Sequence, residues 1–208
     1  MITIGLTGSI GMGKSTTLRL FAEEGCAVWN ADAAVHRLYA PKGEGAAAIA
    51  GAFAGVLTPE GGVDRDALGR HVLSDPAALA RLEALIHPLV QEDRESFLVR
   101  ARQEGFAIAV CDIPLLFETE ADDAFDIVVV VTAEEGVRRR RVLDRQGMTE
   151  AKLEAILARQ TPEAERAGRA DYVIRTDEGL PAARRAVRAI LSALEENSSS
   201  AGRRGAPQ

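Results

Sequence analysis

The sequence predicts an α/β fold, a five-stranded parallel sheet flanked by helices. Three observations predict it. Short apolar, β-rich runs alternate with stretches of helical period, the pattern of βαβ units. Two of those runs, Phe106–Cys111 and Phe125–Val131, are almost continuously apolar, as in strands covered on both faces. A Gly-rich turn separates the first strand from the first helix, and a second short strand follows within about 30 residues, a length that suits a parallel crossover.

Met1–Thr7 reads as a buried strand. Lys14–Glu24 carries Leu18, Phe21 and Ala22 at helical spacing, and Gly25 ends that helix. Ala27–Trp29 is the second strand, closing on Asn30-Ala-Asp32. Residues 33–103 are mostly helical in pattern and form a helical insertion between strands two and three. Its clearest pieces are Asp66–Leu73 and Pro76–Arg102, with Pro88 expected to kink or break the latter. The runs at 106–111 and 125–131 are strands three and four. Helices are expected at Ala133–Asp144, Thr149–Arg159 and Pro162–Arg169, then a strand at Asp171–Ile174 and a helix at Pro181–Glu195. Residues 197–208 have the composition of a disordered tail. The core is therefore 1–32 with 104–196.

Composition narrows the function. The chain has 208 residues, 47% hydrophobic and 27% charged, values of a globular domain with one sizeable insertion. A net charge of −6 with six Phe, two Tyr and one Trp disfavours nucleic acid as a partner. The longest unbroken apolar run, Ile127–Val131, is far below the roughly 18 residues of a membrane span. No basic segment precedes the first apolar run, and Cys26 and Cys111 lack metal or redox spacing. A cytoplasmic protein, monomeric or weakly self-associating, is expected. Only three lysines occur, Lys14, Lys42 and Lys152.

One of them completes a motif. Gly8-Ser-Ile-Gly-Met-Gly13-Lys14-Ser15 fits G-x-x-x-x-G-K-[ST], the phosphate-binding P-loop. Gly8, Gly11 and Gly13 let the backbone turn its N–H groups around a phosphate, and the helix opening at Lys14 adds its positive end. Lys14 supplies charge to the β- and γ-phosphates, and the Ser15 hydroxyl can ligate Mg²⁺. ATP is the expected nucleotide, since no N-K-x-D guanine motif is present. Asp32 follows the next strand, where a carboxylate could accept the proton of an attacking hydroxyl. It could equally cap the helix that starts at Ala33.

With Asn30-Ala-Asp32, Ile86-His-Pro88, Pro114-Leu-Leu-Phe-Glu118 and Ala170-Asp-Tyr-Val-Ile174 in order after Gly5–Thr16, the chain resembles dephospho-CoA kinases. That resemblance implies ATP-dependent phosphorylation of the ribose 3′-hydroxyl of dephospho-CoA, giving CoA and ADP in the last step of coenzyme A synthesis. It implies Asp32 as base, with Lys14 and Arg141 in the chemistry, and Arg65, His87 and Pro114 with Asp32 on the acceptor. It places Met12 and Thr16 with the P-loop residues on ATP, residues 33–103 as the helical substrate-side insertion, and Arg141 and Arg145 as arginines of a helical lid, at about 138–169, over the triphosphate. Asp112 joins Ser15 as a candidate Mg²⁺ ligand.

Each of these has a plainer reading. Arg65 could be a solvated helix-start arginine, His87 a partly buried histidine, and Asp112 a strand-end cap. Within Arg138–Arg141, Arg139 and Arg140 are expected to be solvated. Three positions depart from the family pattern: Asn30 for Asp, Gln146 for Asp, and the Thr176 region, where an Asn is usual. Another small-acceptor P-loop kinase, or a regulatory ATP-binding module, are the competing functions.

Overall fold

The computed structural model describes the backbone of residues 1–203 and the side chains of residues 1–197. The described chain divides into two compact units, one formed by residues 1–28 with the chain from 106 onward and the other by residues 29–105.

The first unit is built on the sheet. Its strands are β1 (Ile2–Thr7), β2 (Ala27–Asn30, which runs on into the second unit), β3 (Ile108–Asp112), β4 (Ile127–Thr132) and β5 (Tyr172–Arg175), in the order β2-β3-β1-β4-β5. β1 pairs in parallel with β3 and with β4, and β4 with β5. Side chains alternate across a strand, so β4 serves two cores at once. Val129 and Val131 pack with Ile4, Leu6 and Ile174 on one face, while Val128 and Val130 pack with Leu116 and Phe117 on the other. This is why the sequence of β4 is apolar without alternation.

Two helices cover the first face. α1 (Lys14–Glu23) contributes Leu18, Leu20 and Phe21, and α9 (Leu180–Arg203) contributes Ala183, Val187, Ile190 and Leu194 at spacings of one helical stripe. Phe21 is fully buried, and truncating a buried Phe to Ala costs about 3–5 kcal/mol. Arg184 and Arg188 of α9 pair with Glu23 and Glu24 at the end of α1. α9 continues as helix to Arg203, which corrects the expected tail over residues 197–203. Once the helix is nucleated on the packed stripe, each further residue adds a backbone hydrogen bond, and the poor helix formers of this segment extend it without a new nucleation cost. Residues 204–208 lie outside the described residues. α6 (Glu135–Leu143), α7 (Glu150–Leu157) and α8 (Glu163–Arg169) lie between β4 and β5.

The second unit contains α2 (Ala31–Tyr39), α3 (Glu44–Ala52), α4 (Arg65–Val72) and α5 (Pro76–Gln103) around a core of Ile49, Phe53, Val56, Leu68, Val72 and Ile86. Asp64 and Asp75 cap α4 and α5 by accepting from backbone N–H groups of their first turns. The expected break at Pro88 does not occur: α5 is one helix of 28 residues. Proline forfeits a single backbone hydrogen bond there, while Ile86, Leu89 and Val90 on both sides of it stay packed in the core. Trp29 Nε1 and Arg37 Nη2 both donate to Asp93 Oδ1, at 2.7 and 2.6 Å.

Among the described residues no helix is long and apolar enough to cross a membrane.

Candidate active site

The turn after β1 has the backbone that phosphate binding demands. A Cβ on Gly8 would lie 2.5 Å from the Val131 carbonyl oxygen, so only glycine lets this loop pass so close to β4. Gly11 holds φ 79°, and a Cβ there would meet Val142 Cγ2 of α6 at 2.5 Å. Gly13 is the N-cap of α1 and offers no side-chain cap, which leaves the first N–H groups of the helix available to a ligand. Lys14 Nζ donates to the Gly8 carbonyl oxygen at 2.8 Å, curling the ammonium over the loop. Met12 is buried beneath it, and Ser15 is exposed on the first turn.

A cavity of about 420 Å³ opens beside this loop, lined by Gly11, Gly13 and Thr16 from one side and Arg141, Arg145 and Thr176 from the other. Arg141 is set rigidly. Its Nη1 donates to Thr176 Oγ1 and its Nη2 to the Thr176 carbonyl oxygen, both at 2.8 Å. The Thr176 hydroxyl in turn donates to the Met12 carbonyl oxygen at 2.8 Å. The position that departs from the family pattern thus holds Arg141 to the P-loop.

Asp112 ends β3 and is 2% exposed, paired in register with Leu6 just before the P-loop turn. Pro114 is half-buried in the loop that follows. In that loop Leu115 takes φ 59°, a strained value for a branched side chain. The loop ends at Glu118, whose Oε1 accepts from Thr161 N at 2.6 Å. Gln160 beside it accepts from Ser9 Oγ and, at 3.4 Å, from Ile10 N of the P-loop. Glu118 belongs to a motif legible in the sequence, whereas Gln160 carries no sequence signal.

Arg139 is not simply solvated. It pairs with Glu135 and reaches Glu150 and Glu154, tying α6 to α7. Arg140 is exposed, as expected, and so is Gln146.

Of the acceptor-side candidates, Asp32, Arg65 and His87 lie in the second unit, and Pro114 in the first. Asn30 Oδ1 accepts from Ala33 N at 2.8 Å and is the N-cap of α2. The capping reading of Asp32 therefore falls: Asp32 sits exposed in the first turn, with the capping role already filled by its neighbour. Arg65 is the first residue of α4, with its guanidinium 5.4 Å from the Tyr39 ring centroid. His87 is exposed in mid-helix, neither turned out of regular helix nor partly buried.

Fold and site together define a P-loop phosphotransferase. The sequence profile of the dephospho-CoA kinase family (CoaE) matches residues 2–182. The chain is 56% identical over 194 residues to the dephospho-CoA kinase of Mesorhizobium japonicum, covering 93% of this chain and 97% of that one. It is 52% identical over 194 residues to the dephospho-CoA kinase of Agrobacterium fabrum, covering 93% and 98%. A Thermus thermophilus protein of known crystal structure superposes with a TM-score of 0.79 at 34% identity, over 93% of this chain and 97% of that one. A shikimate kinase from Bacteroides thetaiotaomicron shares the fold, with a TM-score of 0.53 at 17% identity over 93% and 98%. The chain belongs to the dephospho-CoA kinase family.

Proposed function

We propose that this chain transfers the γ-phosphoryl group of ATP to the ribose 3′-hydroxyl of dephospho-CoA, releasing CoA and ADP. The observation that carries this reading is the reach of the family match. It runs through residues 2–182, including the helical segment with Asp32, Arg65 and His87, and the relatives that carry the same family name cover 93% of the chain at 52–56% identity.

The residues divide the work as follows. Backbone N–H groups of Gly8–Gly13 and the start of α1 receive the phosphates, with Met12, Ser15 and Thr16 forming the same turn. Lys14 leaves the Gly8 carbonyl for the β- and γ-oxygens, where a fixed positive charge offsets charge developing in transfer. Arg141 and Arg145 close the cavity over the nucleotide, and excluding water from it suppresses ATP hydrolysis. Asp32 orients the acceptor hydroxyl and takes its proton late in the transfer. Arg65, on the first turn of α4, meets the acceptor's phosphates, and His87 and Pro114 border the same substrate.

Magnesium fits the donor set. Ser15 offers a hydroxyl and Asp112 a buried carboxylate, both hard oxygen ligands, and no group of three His, Cys, Asp or Glu among the described residues would hold a metal by protein ligands alone. Mg²⁺ characteristically keeps waters and substrate phosphates in its shell. When bound it neutralises charge on the phosphate oxygens.

ADP release with Mg²⁺-ATP, measured against dephospho-CoA, AMP, CMP, shikimate, gluconate and no acceptor, tests the assignment. Turnover that depends on dephospho-CoA and yields a 3′-phosphorylated product is expected. Turnover on another acceptor would overturn it.

A further inference from the structure

Arg166, on the first turns of α8, is 5% exposed, and its Nε is buried without a hydrogen-bond partner. Arg138 of α6 has a side chain 11% exposed and a buried Nε in the same condition. The two cations are close enough to repel: burial above all, and Arg138 with it, lowers the Arg166 pKa, against the pull of Glu118 and Glu163. Those carboxylates are engaged elsewhere. Glu118 accepts from Thr161 N, Glu163 accepts from Thr132 Oγ1, and the Arg138 contacts with Glu163 and the exposed Glu135 are long, at 3.9 and 3.6 Å. Two buried guanidinium groups with unmet donors are costly unless an anion completes them.

The surroundings say where that anion comes from. Arg138 Cγ lies 3.3 Å from the point a Cβ on Gly11 would occupy, so its side chain rests on the P-loop. Gln160, which precedes α8, is bonded to Ser9 and Ile10 of the same loop. Resting on the kinase reading above, we propose that Arg166 is a catalytic residue whose guanidinium, with that of Arg138 beside it, receives the γ-phosphoryl group of ATP. In the transfer the acceptor oxygen bonds to Pγ as the bond from Pγ to the ADP oxygen breaks, and the hydroxyl proton leaves to Asp32. Arg166 holds equatorial oxygens of the moving group throughout.

The test compares the full-length protein with Arg166→Gln and Arg166→Lys. It measures the single-turnover transfer rate, the melting temperature, and the affinities for ADP and for β,γ-imido-ATP. Arg166→Gln should slow transfer by about 10²–10³-fold, the effect of removing one donor to a developing anion. It should weaken β,γ-imido-ATP at least about tenfold, the loss of one charge-assisted bond, while ADP affinity stays within about twofold. If Gln is not tolerated in the fold, Arg166→Lys carries the same comparison. It keeps the charge and loses the fork, and should lose about tenfold in rate with ADP affinity retained.

Equal loss of both nucleotides with a lowered melting temperature marks a structural arginine and overturns the proposal. So does an unchanged rate, or failure of both variants to fold. Wild-type turnover of dephospho-CoA, run alongside, separates this outcome from failure of the acceptor assignment, because the two nucleotide affinities need no acceptor.

Discussion

The Arg141 guanidinium is clamped by Thr176, with Nη1 on the hydroxyl and Nη2 on the carbonyl oxygen, both at 2.8 Å. Since that hydroxyl also donates to the Met12 carbonyl, one threonine joins the end of β5, the P-loop and α6. A side chain that reads as a departure from the family pattern thereby fixes the direction of a charge.

Thr176→Val tests that role. The variant keeps shape and removes the hydroxyl, so Arg141 retains its bond to the carbonyl and loses the other. A hydrogen bond to a charged group is worth about 1.5–3 kcal/mol, so KM for ATP should rise about tenfold or more. KM for dephospho-CoA should stay unchanged. Equal changes in both constants would show that Thr176 serves the fold and not the nucleotide site.

Asp93 gives the second unit a pH dependence that Trp29, the single tryptophan, can report. Burial pushes its carboxyl up, but hydrogen bonds from Trp29 and Arg37, with the charges of Arg37 and Arg100, outweigh it and hold the pKa below the usual carboxylate value. A folded pKa below the unfolded one contributes stability that is present above the unfolded value, about 3.9, and lost as pH falls through the folded value. Asp93→Asn should therefore cost about 1 kcal/mol at pH 7. Followed by Trp29 fluorescence in urea, the gap from wild type should begin to narrow below about pH 4 and keep closing as pH falls through the folded value. A gap that does not narrow at all on the acid side would contradict the pairing.

The thiols should be silent in the native protein. Cys26 is 8% exposed and Cys111 fully buried. Burial, with the Glu24 charge second, pushes the Cys26 thiol up to about 11. At pH 8 that leaves about one thiolate in a thousand, against about a quarter for a free thiol. Iodoacetamide labelling should be slow until denaturant is added. Rapid labelling of either cysteine at pH 8 without denaturant would show that the first unit is not packed as described.

Much of the first unit was legible because its signals are local. The P-loop spacing, the apolar runs of β3 and β4 and the Gly25 helix end each follow from a few adjacent residues. What the sequence could not show were contests between neighbours and between levels. Asn30 and Asp32 are both good caps, and only the Asn30–Ala33 hydrogen bond decides which one serves. Pro88 carries a strong local rule, yet the helix does not break there, with Ile86, Leu89 and Val90 packed around it. Arg166 stands among glutamates on a seven-residue helix with no motif or spacing to single it out, yet tertiary packing buries it. The Thr176–Arg141 clamp joins residues 35 apart in the chain, beyond any periodicity.

The central claim is that Asp32 serves the reaction and Asn30 serves the helix. Asp32→Asn and Asn30→Ala, each assayed for kcat with dephospho-CoA and for stability in urea, test it most directly. Asp32→Asn should lower kcat by about 10²–10⁴-fold with stability within about 0.5 kcal/mol of wild type. Asn30→Ala should cost about 1 kcal/mol of stability through loss of the cap. Near-normal kcat in Asp32→Asn would contradict the assignment of the base.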